Sequence, residues 1–352
     1  MENKQETLVI LSPGFPENEA DTTCLPFQQS FVKSLGDICP GLKIIVIAFQ
    51  YPFYTGSYQW NGIDVIAVGG KNKGRLFRLL TWIKTWLILR KLNREFQILG
   101  LLSFWLGECS FVGHYFASQN KLNHYTWLLG QDVKKGNKYF RWAEPRGDSL
   151  IALSDFLAAQ MKKNYGVNIQ NVIPAGIDPS LFSDHFTRRD IDILGVGSLI
   201  PLKQYHLFVE TVAFLKTFFP GIKAVICGKG PELDALQELV RVRGLENNLT
   251  LAGELPYRDV LAMMQRSKIL LHPSNFEGFC GVLPEALYSG AHVVSFCKPM
   301  NRNYRHHYVV KDTIEMNKTV LSVLRNNHRS HDRVLCADIK QVAKNVICLF
   351  AE

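Results

Sequence analysis

Short apolar runs alternate with amphipathic stretches along most of this chain. Residues 7–12, 43–49, 63–68, 97–103, 124–129, 149–153 and 171–174 read as strands. Helical spacing falls at 24–36, 75–94, 108–119 and after Ser154, whose hydroxyl suits an N-cap. The rhythm restarts at 191–197. Strands follow at 222–227, 248–252, 268–272 and 292–296, with helices at 203–218, 231–243, 257–265, 282–289, 312–326 and 336–350. Continuous rather than alternating apolar strands signal parallel sheets covered by helices on both faces. The pattern predicts an α/β protein of two halves, residues 1–178 and 179–335, followed by a last helix at 336–352 with an apolar stripe suited to docking.

Composition adds limits. The chain has 352 residues, 47% of them hydrophobic and 20% charged, enough for two cores and too apolar for disorder. The net charge of +9 suits anionic partners, but no block of basic residues marks a nucleic-acid surface. Eight scattered cysteines without a CxxC argue against a zinc ribbon and fit a reducing compartment. The first apolar run follows acidic residues and is too short for a secretory leader. The segment 75–94 is rich in Leu and Trp, but its basic residues exclude a spanning helix. It reads either as a helix lying on a membrane surface or as an ordinary core helix packed on a sheet. The expected location is cytoplasmic, with peripheral contact at the inner membrane face.

Residues 272–290, HPSNFEGFCGVLPEALYSG, carry the clearest chemistry. Glu277 and Glu285 stand eight positions apart, with Gly278 and Gly281 between them. A glycine-bearing loop that enters a helix exposes backbone N–H groups to an anion such as a diphosphate. A carboxylate one turn into that helix suits vicinal hydroxyls, and one before the loop suits a sugar. The plainer alternative is a helix start with two surface acids. Two weaker signals accompany this stretch. Lys203 follows the turn at Gly197 and suits phosphate charge. Gly228 and Gly230 end the next strand, where backbone can approach a ligand closely.

In this order and spacing, GVGSL…K, AVICGKGPE and the stretch above resemble the GT-B glycosyltransferases, and within them glycosyltransferase family 4. The resemblance is strong over 191–296. It implies two doubly wound Rossmann-like domains facing a central cleft, with the last helix, 336–352, crossing back onto the first. It also implies a retaining transfer of a hexose-like sugar from a nucleoside diphosphate, UDP by family frequency, with no metal or other cofactor. Glu277 and Glu285 are then the family's E-x7-E pair. Lys203 would hold the diphosphate and Glu277 the transferred sugar. Phe279, Cys280, Gly281, Val282 and Leu283 would offer backbone N–H groups, Glu285 would bind ribose, and the turn at Gly253–Pro256 would border the base. Ser198 stands where many members carry an arginine.

The amino half departs from that family. Its first loop holds one glycine, Gly14, and the usual His-Gly-x-Asp reads Leu129-Gly130-Gln131-Asp132. Gly14, Asp132 and Glu108 are the acceptor-side candidates. Glu108 has the alternative of a helix-start acid, and His114 and His124 that of structural residues. The segment 297–308, CKPMNRNYRHHY, replaces a glycine pair, and reads as a solvated loop or as part of a reshaped donor site. The expected partners are a nucleotide-sugar and a glycan or lipid-linked acceptor, not nucleic acid. Two rivals remain: a sugar-nucleotide 2-epimerase and a non-catalytic sugar or nucleotide binder on the same fold.

Overall fold

The protein is described here as a computed structural model over residues 4–74, 76–185, 188–326 and 329–351. The chain divides into two compact units. One runs to Gly176 and takes the chain back from Ile339, and the other spans Ile177–Asp338.

The first unit orders β1 (Glu6–Gly14), α1 (Pro26–Ile38), β2 (Lys43–Tyr51), β3 (Gly56–Trp60), β4 (Ile63–Ala67), α2 (Leu76–Glu95), β5 (Gln97–Phe104), α3 (Glu108–Asn120), β6 (Asn123–Leu128), α4 (Lys138–Ala143), β7 (Leu150–Ala152), α5 (Asp155–Tyr165) and β8 (Asn171–Val172). They build one sheet in the order β3-β4-β2-β1-β5-β6-β7-β8, parallel except for β3. Its central strands are covered on both faces, which is why Leu8–Leu11 reads as an unbroken apolar run. Ser154 caps α5, accepting from the Leu157 amide at 3.1 Å.

The helix α2 is turned against its composition. Thr81, Thr85, Leu89 and Leu92 face inward. Leu76, Phe77, Leu79, Leu80, Ile83 and Leu87 remain 48–76% exposed. The expected core helix is thus only half right: one narrow stripe packs on the sheet, and a broad apolar face does not. Arg75, the start of the expected segment, lies outside the described residues.

The second unit orders β9 (Ile191–Val196), α6 (Tyr205–Lys216), β10 (Ala224–Cys227), α7 (Leu233–Val242), β11 (Leu249–Gly253), α8 (Tyr257–Gln265), β12 (Ser267–His272), α9 (Val282–Tyr288), β13 (His292–Ser295), β14 (His307–Val309) and α10 (Thr313–Arg325). The sheet runs β11-β10-β9-β12-β13-β14, all parallel. Two apolar layers cover it, one centred on Phe208, Val212 and Val320, the other on Leu261, Met264 and Leu283. The last helix, α11 (Ile339–Cys348), packs on α1 of the first unit, where the Tyr125 hydroxyl donates to the Leu349 carbonyl at 2.7 Å.

After β9 the chain moves outward through β10 and β11, then returns to β12 on the other side of β9. The carboxyl ends of β9 and β12 are therefore the switch point of this sheet, where doubly wound folds place their ligands. The loops that leave β9 and β10 lie backbone against backbone. The Leu199 amide donates to the Lys229 carbonyl at 2.9 Å and the Gly228 amide to the Gly253 carbonyl at 2.7 Å. A Cβ on Gly228 would stand 1.9 Å from the Gly197 carbonyl oxygen, and Gly228 has φ +152°. Gly228 and Gly230 are thus required by the protein's own backbone.

Gly228→Ala should destabilise the protein by about 2 kcal/mol or more, since backbone strain adds to a backbone clash. Gly41→Ala, where a Cβ would meet nothing within 4 Å, should change stability by less than about 0.5 kcal/mol. Denaturant melts of both variants check the contrast.

Candidate active site

The site grows from the switch point. The turn after β9 ends at Lys203, and the loop after β12 carries Glu277. Two contacts pin these loops together: the Asn275 amide donates to the Leu202 carbonyl at 3.0 Å, and the Ser274 hydroxyl to the same carbonyl at 3.1 Å. The Lys203 ammonium donates to Glu277 Oε1 at 2.5 Å. Both side chains are largely buried. His272, at the end of β12 and fully buried, places Nε2 2.8 Å from the same oxygen.

Burial alone would raise the Glu277 pKa. The His272 hydrogen bond and the Lys203 charge outweigh it and hold the carboxyl at about 2. His272 goes the other way: burial lowers its pKa despite Glu277, so the ring stays neutral near pH 7. The cation beside Glu277 is therefore Lys203, and the imidazole contributes a hydrogen bond.

Glu285 sits one turn into α9. Its Oε1 accepts from the Tyr257 hydroxyl of α8 at 2.7 Å. Although part of its surface reaches solvent, protein atoms surround the carboxyl. Burial raises its pKa to about 7 against that hydrogen bond. The two carboxylates of this stretch therefore differ: Glu277 is ionised throughout the physiological range, and Glu285 titrates within it.

The other expected residues fall unevenly. Ser198 is exposed on the turn after β9. The Leu283 amide donates to the Cys280 carbonyl at 3.0 Å, so it does not offer the free N–H expected of it. Cys280 is buried with φ +64°, the left-handed region that favours glycine. Gly253 accepts from Gly228 and has φ +72°, and Glu254 pairs with Lys229. The segment after Cys297 is not simply a solvated loop. His307 enters β14, its Nε2 lies 3.0 Å from the Ser295 hydroxyl, and Arg305 pairs with Asp332 at 3.0 Å.

In the first unit the candidate acids are tied to their own chain. Asp132 accepts from the amides of Leu106 (3.0 Å), Leu129 (3.3 Å) and Gly130 (2.7 Å). Burial raises its pKa against these bonds. Glu108 opens α3 and accepts from Gln50 at 2.9 Å and from the Trp82 indole at 2.8 Å. Gly14 ends β1, its carbonyl accepting from Ser12 at 2.6 Å. His124 lies 2.9 Å from the Ser103 hydroxyl, its pKa driven to about 3 by burial, and burial also lowers that of His114.

Sequence reasoning missed His272 and Tyr257, the partners of the two glutamates. His272 opens the informative stretch, but nothing in its spacing gave it a role. Tyr257 meets Glu285 through the packing of α8 on α9, which leaves no local signal.

Comparison with known proteins agrees with this geometry. The profile of the family described as glycosyl transferases group 1 matches residues 181–340. Among curated relatives, the putative colanic acid biosynthesis glycosyltransferase WcaL of Escherichia coli is 26% identical over 64% of this chain and 53% of its own. The 2-deoxystreptamine N-acetyl-D-glucosaminyltransferase of Niallia circulans is 26% identical over 29% of this chain and 26% of its own. The chain thus spans between a quarter and about half the length of these relatives. Among solved structures, sucrose-phosphate synthase of Thermosynechococcus elongatus superposes with a TM-score of 0.70 at 14% identity, covering 99% of this chain and 95% of its own. Anabaena HepE in complex with UDP and glucose gives 0.65 at 15%, covering 98% and 97%. Residues 181–340 match the model of the glycosyl transferases group 1 family, and the chain that carries them has the GT-B fold.

Proposed function

We propose that the protein is a retaining glycosyltransferase of family 4 type. It moves a hexose-like sugar from a nucleoside diphosphate, UDP in first place, to an acceptor hydroxyl. The observation that carries this reading is the Lys203–Glu277 pair at the sheet's switch point, with Glu285 one helical turn beyond it. In the reaction the bond from the sugar's anomeric carbon to the diphosphate oxygen breaks, and a bond to the acceptor oxygen forms. The acceptor proton passes to the leaving phosphate. Lys203 supplies positive charge where the leaving group gains negative charge. Glu277 stays ionised and accepts from sugar hydroxyls, and Glu285 accepts from the ribose diol. This chemistry asks for no metal and no protein nucleophile.

The acceptor is a lipid-linked or cell-surface glycan in this reading, met at the inner face of a membrane. What supports it is the exposed apolar face of α2, which lies among Arg78, Lys84, Arg90, Lys91 and Arg94. Beside it, Trp82, Trp86, Phe111 and Tyr115 line an apolar groove of about 340 Å³. Apolar side chains flanked by cations are what an anionic bilayer surface recognises. Among the described residues no helix is long and apolar enough to cross a membrane.

Two outcomes follow. Lys203→Ala should lower turnover of the nucleotide-sugar by about 100-fold or more, while Lys216→Ala on the surface should not. Donor consumption assays with a panel of acceptors read the difference, and equal rates would remove Lys203 from the mechanism. Replacing Leu80, Ile83 and Leu87 by Ser should weaken co-sedimentation with anionic vesicles by about tenfold or more. Unchanged partitioning would exclude this face as the membrane contact.

A further inference from the structure

Around the loop that carries Glu277 lie soft ligand atoms, two thiols and the second nitrogen of His272, that the proposed sugar transfer does not use. His272 ends β12, Cys280 lies in the loop before α9, and Cys297 lies just past β13. A ring nitrogen of His272 and the two sulfurs all lie within 4.8 Å of one another. His272 and Cys280 are buried, Cys297 is half-buried, and no disulfide joins the thiols.

A second observation concerns the imidazole. Its Nε2 faces the Glu277 carboxylate, which can only accept, so the ring proton belongs on Nε2. That leaves a lone pair on Nδ1, and Nδ1 is buried without a hydrogen-bond partner among the described residues. A buried acceptor left unpaired costs free energy unless something satisfies it. A histidine whose second nitrogen donates to a carboxylate is also the usual posture of a metal-bound histidine.

We propose that His272, Cys280 and Cys297 form a site for a thiophilic divalent cation, Zn²⁺, with His272 binding through Nδ1. Two thiolates and one imidazole are a ligand set that zinc favours, and water completes its tetrahedron. On binding, each thiol releases its proton to solvent and two Zn–S bonds form, with no change of oxidation state. The ion ties the ends of β12 and β13 to the loop between Glu277 and α9. It restrains the donor loop and is not a participant in sugar transfer. The inference stands whether or not the protein transfers sugar, because it rests on the ligand geometry alone.

The test uses the full chain, reduced with a phosphine that does not hold metal. Zn²⁺ is titrated against a chromophoric chelator, and Co²⁺ is used in its place for spectroscopy. The wild type should hold about one tight equivalent and show a thiolate-to-cobalt charge-transfer band. Cys297→Ser should weaken binding by about tenfold or more and diminish the band, and Cys297→Ala should do the same. Zn²⁺ should raise the melting temperature of the wild type and raise that of both variants by less at the same concentration. A reduced, folded wild type that retains no zinc would overturn the proposal. So would stoichiometry and spectrum unchanged in Cys297→Ser, since the ion would then sit on other cysteines.

Discussion

The ion pair between Lys203 and Glu277 joins two loops 74 residues apart, and the arrangement of the candidate site depends on it. Its existence follows from topology. The chain adds strands on one side of β9 and then, from β12, on the other, so the loops leaving these two neighbouring strands lie side by side. Partial burial makes the pair demanding. Each charge loses hydration, and neither is comfortable without the other or a ligand in its place. A nucleotide-sugar offers both replacements, phosphate for the lysine and hydroxyls for the glutamate. The pair is therefore a resting arrangement that a donor can take over group by group. His272 stabilises Glu277 without adding charge, which leaves the lysine as the cation of this cluster.

Around that pair, the backbone is as constrained as the side chains. Gly228 and Gly230 allow the β10 loop to lie directly on the β9 loop, and Leu202 receives both contacts that hold the Glu277 loop in place. The second unit thus carries a preorganised site. The first unit invests its candidate acids differently. Asp132 staples the turn after β6 through three amides, and Glu108 fixes Gln50 and Trp82. The first unit also exposes apolar and basic surface on α2.

Strands were legible because parallel strands buried on both faces are unbroken apolar runs, as in 43–49 and 268–272. β3 and β14 were not. GSYQW forms an antiparallel edge of mixed pattern, and HYV follows a basic segment that reads as loop. The short α4 left too few residues for a period to emerge. The inward face of α2 was hidden for another reason: apolar residues occupy nearly every side of that helix, so periodicity cannot choose one. Lys203, Glu277 and Glu285 were singled out because loop chemistry and helix entry are local, and the fold brings the first two into contact. The glycines beside them were read as room for a ligand, whereas their neighbour is backbone. The pairing of Glu285 with Tyr257, and the meeting of His272 with two distant cysteines, are tertiary events without a sequence period.

The proposed function requires that the second unit bind a nucleoside diphosphate between Lys203 and Glu285. The most direct measurement is the melting-temperature shift given by UDP, GDP, ADP and CMP at pH 8 and pH 6, on wild type and Glu285→Ala. One nucleoside diphosphate should stabilise the wild type by mass action and have little effect on the variant. The carboxylate that accepts from ribose forms as pH rises through about 7, so the shift should be larger at pH 8 and shrink at pH 6. No stabilisation by any nucleotide, or equal stabilisation of wild type and Glu285→Ala, would contradict the account.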